Sequence, residues 1–282
     1  MTAIDISYWQ HHPDFAQVHG AGVTLVIMKC GGGEAGRLYE DSVYADNRSA
    51  ARAQGLAVGS YFFNGPVDPV AAADFQFSVI DWQPGDVVAI DVEGNGVQPR
   101  WNPSQVFAWC QRILAHGVPA GRILVYMSSS VLGAGWDAVA GLGVGLWVAQ
   151  YGPNDGNAHS VPGSGPWSSW VLWQFTSRGT VPGIAGSIDM NQVSPTFASS
   201  GETIVTAGTG TPAPFQTKRK KKNKMADIIV APNQSCAYVI VRPDGGMGKA
   251  QITNPAVIAQ EAAAGNFTIP VSQNTYDAYA TL

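Results

Sequence analysis

The sequence predicts an irregular, TIM-like α/β barrel of the (β/α)5(β)3 kind, followed by a linker and a small α+β C-terminal module. Eight apolar runs bounded by turn residues are typical of strands. Helical periodicity separates only the earlier runs, whereas loops rich in Gly, Pro and Ser join the last three, so helices should surround only the first part of the barrel. The strand segments are residues 2–7, 23–31, 55–63, 86–94, 122–128, 143–151, 170–177 and 187–193.

Three segments between the early strands have helical character, namely residues 42–55, 70–80 and 103–117. The last of these has Pro103 near its start and Gly117 at its end, the positions that each residue prefers in helices. Strands that alternate with helices indicate parallel βα units, and eight strands in series predict a closed barrel.

The composition indicates a globular protein, because 45% of the residues are hydrophobic and only 13% are charged. No apolar stretch approaches the ~20 residues of a membrane span, and the first residues lack the basic region and apolar core of a signal peptide. We therefore expect a chain made in the cytoplasm that does not insert into membranes. Residues 1–217 carry 16 acidic and 8 basic residues, a net charge of −8, which argues against nucleic acid as a partner.

The three cysteines, Cys30, Cys110 and Cys236, are odd in number and lack the spacing of metal ligands. This pattern predicts buried structural thiols and no disulfide framework or zinc site. None of the five histidines stands in a recognisable nucleophile motif, so a catalytic cysteine is not expected.

Polar and aromatic residues recur where the predicted strands end, which is where barrels of this kind carry their chemistry. In the stretch AIDVEG, Asp91 and Glu93 are two positions apart, so an extended strand would point both to the same side with Cα atoms roughly 6.5 Å apart. Carboxylates serve proton transfer and flat rings stack on sugars, so this set favours cleavage of a glycosidic bond. The candidate residues are Asp5, Tyr61, Phe63, Asp91, Glu93, Tyr126, Trp147, Tyr151, Gln174 and Asp189.

Five segments resemble the family 25 glycoside hydrolases, which are N-acetylmuramidase lysozymes common among phage endolysins. They are DISYWQ, GSYFF, AIDVEG, LWVAQY and WQFTSRGTVPGIAGSIDMNQ. The last segment is the most specific, because a Trp-Gln strand, a VPGI turn and an I-D-M-N strand rarely occur together in that order. The resemblance covers residues 1–197 and implies an irregular barrel of eight strands and about five helices.

The resemblance also implies roles for four acids in a groove, Asp5, Asp91, Glu93 and Asp189. Glu93 would be the general acid, with a pKa raised by burial and by the neighbouring carboxylate. Asp91 would act as nucleophile or orient the substrate's own 2-acetamido oxygen, and the family favours the latter route with retention of configuration. Asp5 and Asp189 would shape the site through hydrogen bonds.

One position departs from the family pattern. The family commonly has an aromatic residue, a histidine and a phenylalanine where this chain has Tyr61, Phe62 and Phe63. Because side chains alternate along a strand, Phe62 should face away from its two neighbours. The substitution should therefore affect packing behind the barrel and leave the groove unchanged.

The remaining chain divides into a linker, residues 198–224, and a C-terminal module, residues 225–282. The linker contains the basic run KRKKKNK at 218–224, which would either attract anionic wall polymers or form a solvated hinge. The module has strand-like segments at 226–231, 236–243 and 267–272 and a helix-like segment at 254–265, and we expect it to bind cell walls or to form homo-oligomers. Met225 follows the lysine tract and would serve as an internal start that yields free modules.

The sequence thus predicts a muramidase that cleaves the β-1,4 bond between N-acetylmuramic acid and N-acetylglucosamine in bacterial peptidoglycan. No metal or organic cofactor is implied, and a phage lysin of this kind would leave the host cytoplasm through a holin lesion. Two alternatives remain open: a non-catalytic wall-binding or virion structural protein on the same barrel, and an amidase. The paired Asp91 and Glu93 argue against the first, and the lack of zinc ligands or a nucleophile argues against the second.

Overall fold

The computed structural model describes residues 2–94, 99–133 and 135–198, together with the backbone of four short strands after residue 226. The chain forms two compact units, Met1–Thr211 and Pro212–Leu282. The predicted linker residues 199–224 lie outside the described residues, and so do the basic run and Met225.

The first unit contains a closed barrel of eight strands, which confirms the predicted fold class. Seven strands run parallel to one another, and β1 closes the ring because it pairs with β2 on one side and with β9 on the other. All eight predicted strands are present. The barrel strands are β1 (Thr2–Ile6), β2 (Val23–Glu34), β4 (Ala57–Phe63), β5 (Val87–Asp91), β6 (Ile123–Ser128), β7 (Gly145–Ala149), β8 (Leu172–Gly179) and β9 (Ile188–Val193).

Helices alternate with the strands only in the first part of the barrel, as the sequence predicts, and one short helix follows the last strand. Pro103 is the first residue of α4 and Gly117 lies just after its end with φ 91°, so both capping expectations are confirmed. No helix lies between β7 and β9 in the part of the chain that the structure describes. The helices are α1 (Phe15–Gly20), α2 (Tyr44–Ala53), α3 (Pro69–Val79), α4 (Pro103–Ala115), α5 (Asp137–Ala140) and α6 (Pro195–Ala198). None of the described helices is long and apolar enough to cross a membrane.

The apolar side chains form two layers, one inside the barrel and one between the barrel and its helices. Strand alternation separates them: on β2, Leu25 and Ile27 face inward, whereas Val26 and Met28 face the helices. Phe62 belongs to the outer layer and packs edge-on against Phe75, so its predicted position behind the barrel is confirmed.

Two of the three cysteines have described side chains, and both are buried free thiols. Cys30 and Cys110 lie in the outer layer, and burial raises the pKa of each thiol well above its usual value. The prediction of buried structural thiols is confirmed for these two. The side chain of Cys236 lies outside the described residues.

Two features of the barrel depart from a simple series of parallel strands. Strand β9 runs antiparallel to both β8 and β1, so its first residues lie at the end of the barrel where the parallel strands finish. A short strand that was not predicted, β3 (Arg37–Glu40), pairs with the end of β2 as a hairpin. Its four residues are too few for a periodic signal to identify.

The second unit contains four short strands. Strand β10 (Asp227–Val230) pairs in parallel with β13 (Phe267–Pro270), and β11 (Cys236–Val241) pairs antiparallel with β12 (Met247–Ile252). Three of them coincide with predicted strand-like segments, and β12 was not predicted. The predicted helix at 254–265 lies outside the described residues.

Candidate active site

The four acids meet at one end of the barrel, although three different strands supply them. Asp5 on β1 is the direct register partner of Asp189 on β9. Asp91 is the last residue of β5, and Glu93 follows two residues later. The prediction that Asp189 lies at the carboxyl end of a strand is wrong. Asp189 lies near the start of β9, and it reaches this end of the barrel because β9 runs antiparallel to its neighbours.

A hydrogen-bond network holds Asp5 from two sides. Gln174 Nε2 and Asn191 Nδ2 both donate to Asp5 Oδ2, at 2.9 and 2.8 Å. Gln174 Oε1 accepts in turn from the hydroxyls of Tyr126 and Tyr151, at 2.9 and 2.5 Å. Because Asp5 and Gln174 are buried, these bonds fix one orientation of the carboxylate.

The position of Glu93 depends on a buried asparagine on the neighbouring connection. Asn64 is fully buried, and its Nδ2 donates to the backbone carbonyl of Glu93 at 2.6 Å. The side-chain Oδ1 of Asn64 accepts from the backbone N–H of Trp101 at 3.0 Å, and the backbone N–H of Asn64 donates to the carbonyl of Asp91 at 3.0 Å. Asn64, just after β4, therefore joins its own connection to both the start and the end of the connection between β5 and α4, and sets where Glu93 lies.

Burial and mutual repulsion favour protonated acids in this cluster. Desolvation raises the pKa of Glu93, and a hydrogen-bonding interaction with Tyr126 lowers that pKa in part. Desolvation and the charge of Glu93 raise the pKa of Asp91 well above its usual range. The pKa of Asp5 is raised to about 6, because desolvation outweighs its hydrogen bonds. Desolvation and the charge of Asp5 raise the pKa of Asp189 to about 8. Four like charges at one end of a barrel cannot all ionise, so the cluster retains protons near neutrality.

The predicted aromatic residues surround the acids but differ in exposure. Trp147 and Tyr126 are buried and meet edge-on with ring centroids 4.8 Å apart, so they lie beneath the groove. Tyr61 also packs edge-on against Trp147 at 6.3 Å. Tyr61, Phe63 and Tyr151 are partly exposed, which leaves their rings available to a bound sugar.

Three residues of this site were not identified from the sequence: Lys29, Asn64 and Asn191. Asn191 lies two positions after Asp189 on β9 and donates to Asp5, and it accepts from Trp147 Nε1 at 2.7 Å. The same i, i+2 spacing that identified Asp91 and Glu93 is present in Asp189 and Asn191 and was available as a signal. Lys29 was detectable as the only lysine in residues 1–217.

The described residues offer no metal site, and the one described cavity lies away from the four acids. In the described part of the chain, no group of His, Cys, Asp and Glu side chains is arranged to hold a metal ion. A cavity of about 700 Å³ opens beside Arg122, Trp167 and Phe197, near the starts of β6 and β7. It contains none of the predicted site residues.

Several known proteins are similar to this chain in sequence or in fold. The chain is 28% identical over 212 residues to the autolytic lysozyme of Clostridium acetobutylicum, and the match covers 74% of this chain and 61% of that protein. The crystal structure of the bacterial lysozyme from Streptomyces coelicolor has the same fold, with a TM-score of 0.57 and 23% identity over 68% of this chain and 91% of the other. The CTP1L endolysin structure matches 95% of this chain and 81% of its own, with a TM-score of 0.56 and 20% identity.

Family assignment rests on the sequence profile of glycosyl hydrolases family 25, which matches residues 4–184. The matched region starts immediately before Asp5 and contains Asp91 and Glu93, while Asp189 follows five residues after its end. The match spans well over half of the 282 residues. The chain therefore belongs to glycosyl hydrolases family 25.

Proposed function

We propose that the protein is a peptidoglycan hydrolase, an N-acetylmuramidase that cleaves the β-1,4 bond between N-acetylmuramic acid and N-acetylglucosamine. The observation that carries this proposal is the pairing of Asp91 and Glu93 at the end of β5, within a cluster of acids that Asp5 and Asp189 complete. Family membership and the likeness to an autolytic lysozyme support it. The chain spans 61% of that relative, so the activity of the whole protein is part of the proposal.

Glu93 is the proton donor. Its raised pKa favours the protonated carboxyl that a proton donor requires, and its partial exposure lets it reach the leaving oxygen, O4 of N-acetylglucosamine. As the glycosidic bond breaks, the proton moves from Glu93 to that oxygen. Glu93 then removes a proton from the water that completes hydrolysis, so one residue serves as acid and as base.

Asp91 acts on the sugar that becomes positively charged. It is buried, and its Oδ1 has no hydrogen-bond partner among the described residues. In the acetamido-assisted route, this oxygen accepts from the N–H of the 2-acetamido group and turns the acetamido oxygen toward the anomeric carbon. Attack by that oxygen followed by water inverts the centre twice, which gives net retention.

Asp5 and Asp189 hold the base of the site. Asp189 hydrogen-bonds Asp5, and its pKa of about 8 makes it the carboxyl that carries their shared proton near neutrality. Asp5 also accepts from Gln174 and Asn191, so the pair presents a fixed hydrogen-bonding surface. Their role is to orient the substrate and the tyrosines, and bond cleavage remains with Asp91 and Glu93.

The experiment is digestion of purified Gram-positive peptidoglycan by the wild-type protein, Glu93→Gln and a control, Glu34→Gln. Glu34 is exposed at the end of β2 and takes no part in the cluster. Mass spectrometry should identify reducing-end N-acetylmuramic acid from the wild type and the control, and none above background from Glu93→Gln. Reducing-end N-acetylglucosamine would mean the other glycosidic bond is cut. Release of amines without reducing ends would indicate an amidase, and no release from several walls would favour the non-catalytic alternative.

We further propose that the protein acts as a phage lysin and reaches the wall from the host cytoplasm through a holin lesion. The overall likeness to the CTP1L endolysin, which extends over most of this chain, supports a lysin role. Residues 225–282 would bind the wall or self-associate, and the basic run at 218–224 would add attraction to anionic wall polymers. The roles of the module and of the basic run can be tested by measuring how residues 225–282, with and without 218–224, bind to cell walls. The walls are used before and after removal of teichoic acids. Equal binding in all four cases would exclude the role of the basic run.

Met225 is proposed as an internal start. The CTP1L endolysin is described as regulated by a secondary translation product, and a start at Met225 would supply such a product here. Mass spectrometry of the protein expressed from its native coding sequence should detect a chain beginning at Met225. Met225→Leu should abolish that chain and Met247→Leu should leave it, whereas a fragment that survives Met225→Leu would indicate proteolysis.

A further inference from the structure

Lys29 is a cation at the acidic end of the barrel that the proposed chemistry does not use. It is the only lysine in residues 1–217, and it lies on β2 in register with Tyr61 of β4. Leu25 and Ile27 face the barrel interior, and strand alternation puts Lys29 on the same face. The side chain therefore points into the barrel from the end that carries the four acids.

Aromatic rings contact the ammonium group, and no carboxylate of the described residues lies within salt-bridge distance of it. Lys29 Nζ lies 4.9 Å from the ring centroid of Phe63 and 5.5 Å from that of Tyr39, both within the range of cation–π attraction. Among the described residues no salt bridge includes Lys29. The side chain is partly exposed, so its charge is positioned by the rings and remains able to bind an anion.

The hairpin of β2 and β3 contributes one of these rings, which places Lys29 at the wall of the groove. Tyr39 comes from β3, a strand outside the barrel ring, and Phe63 is the last residue of β4 and the register partner of Asp91. The charge of Lys29 is also felt at Asp91, whose pKa it lowers against the other influences. Lys29 is therefore close to the sugar that would occupy the site beside Asp91.

The two sugars of peptidoglycan differ in one group, the lactyl ether on O3 of muramic acid. That substituent ends in a carboxylate in peptide-free strands and continues into a stem peptide with its own carboxylates in intact strands. An anionic substituent next to ionised carboxylates of the acid cluster is repelled unless a cation faces it. An ammonium fixed by two rings provides that cation without losing its charge to an internal ion pair.

We propose that Lys29 binds a carboxylate carried by the O3 substituent of muramic acid and thereby selects muramic acid over N-acetylglucosamine at the cleaved bond. This inference rests on the proposed muramidase function and names the residue that sets its specificity. Lys29 makes this contact away from the reacting atoms. Its loss should therefore raise KM for the anionic substrate and leave kcat nearly unchanged.

The test measures kcat and KM on matched glycan strands. One set is peptide-free with muramic acid carboxylates intact, and a second is the same with those carboxyls reduced to alcohols. A third set carries stem peptides with free carboxylates. In the fourth set the carboxylates of the stem peptides are converted to amides. The proteins are wild type, Lys29→Met, Lys29→Arg and Arg37→Met, the last a control that removes an exposed cation from the same hairpin.

We expect Lys29→Met to lose about tenfold to a hundredfold in kcat/KM on a carboxylate-bearing set, the range for a hydrogen bond to a charged group. On the neutral counterpart of that set the loss should be less than about threefold, and Lys29→Arg, which keeps the charge and can also lie over aromatic rings, should retain most of the wild-type kcat/KM. A preference confined to the first set identifies the lactyl carboxylate, and one confined to the third identifies the peptide. Arg37→Met should match the wild type throughout.

Two results would overturn the inference and leave the proposed function intact: a wild type that cleaves all four sets equally, or a Lys29→Met variant with the same loss on every set. The second result, with a shifted pH profile, would mean that Lys29 acts through Asp91. A loss shared by all sets with a lower thermal midpoint would mean that Lys29 only supports the fold. A wild type that cleaves none of the four sets would overturn the proposed function itself.

Discussion

The acid cluster should reduce the stability of the barrel, and Asp189→Asn should reveal by how much. The pKa of Asp189 is about 8 against 3.8 for an ordinary aspartate. The folded protein therefore holds this proton more tightly than the unfolded chain. The sign follows: the free energy of unfolding falls as pH rises from the unfolded pKa to the folded one, and the variant lacks this fall.

The size of the effect follows from the same shift. About four pKa units at 1.36 kcal/mol each give a ceiling of about 6 kcal/mol. Part of the shift comes from the charges of Asp5 and Glu93, which can themselves take up protons. We therefore expect the variant to exceed the wild type by about 2 to 3 kcal/mol at about pH 9 and by less than about 1 kcal/mol at about pH 4.

Urea unfolding followed by tryptophan fluorescence measures this difference in the full-length protein. All nine tryptophans lie within residues 1–197, so the signal reports the barrel. Glu34→Gln is the matched control, because it makes the same acid-to-amide change at an exposed position. The reasoning is refuted if the gain from Asp189→Asn is independent of pH, or no larger than that of the control.

Three further predictions concern the general acid, the residue that positions it, and the packing of the neighbouring backbone. Glu93→Gln should lower kcat on peptidoglycan by about a hundredfold to ten-thousandfold with an unchanged or higher thermal midpoint, and retention of half the activity would contradict the role of general acid. Asn64→Leu should reduce the free energy of unfolding by about 2 to 5 kcal/mol, because it leaves the Glu93 carbonyl and the Trp101 N–H unpaired, and kcat should fall with it; full kcat in the folded variant would count against the positioning argument. Gly65→Ala should lower the thermal midpoint, since the added Cβ meets the carbonyl of Gly33, whereas Gly121→Ala meets open space and should leave it unchanged.

The pattern of strands was predictable because its signals are local. Apolar runs such as 86–94 end at Gly or charged residues, and the helix at 103–117 carries its caps in its own sequence. The alternation that placed Phe62 behind the barrel needs only the period of a strand. In each case residues near one another in the sequence determine the local structure, so the pattern can be recognised without knowledge of tertiary contacts.

The sequence by itself determined the fold class, the eight barrel strands and the family to which they belong. Tertiary structure alone decided the direction of β9 and the presence of β3, because pairing between distant segments sets both. It also decided that Asn64 anchors Glu93 from 29 positions away and that Lys29 lies between rings of β3 and β4. These contacts join residues that are far apart in the chain, so no periodicity or spacing records them, and only closure of the barrel brings them together.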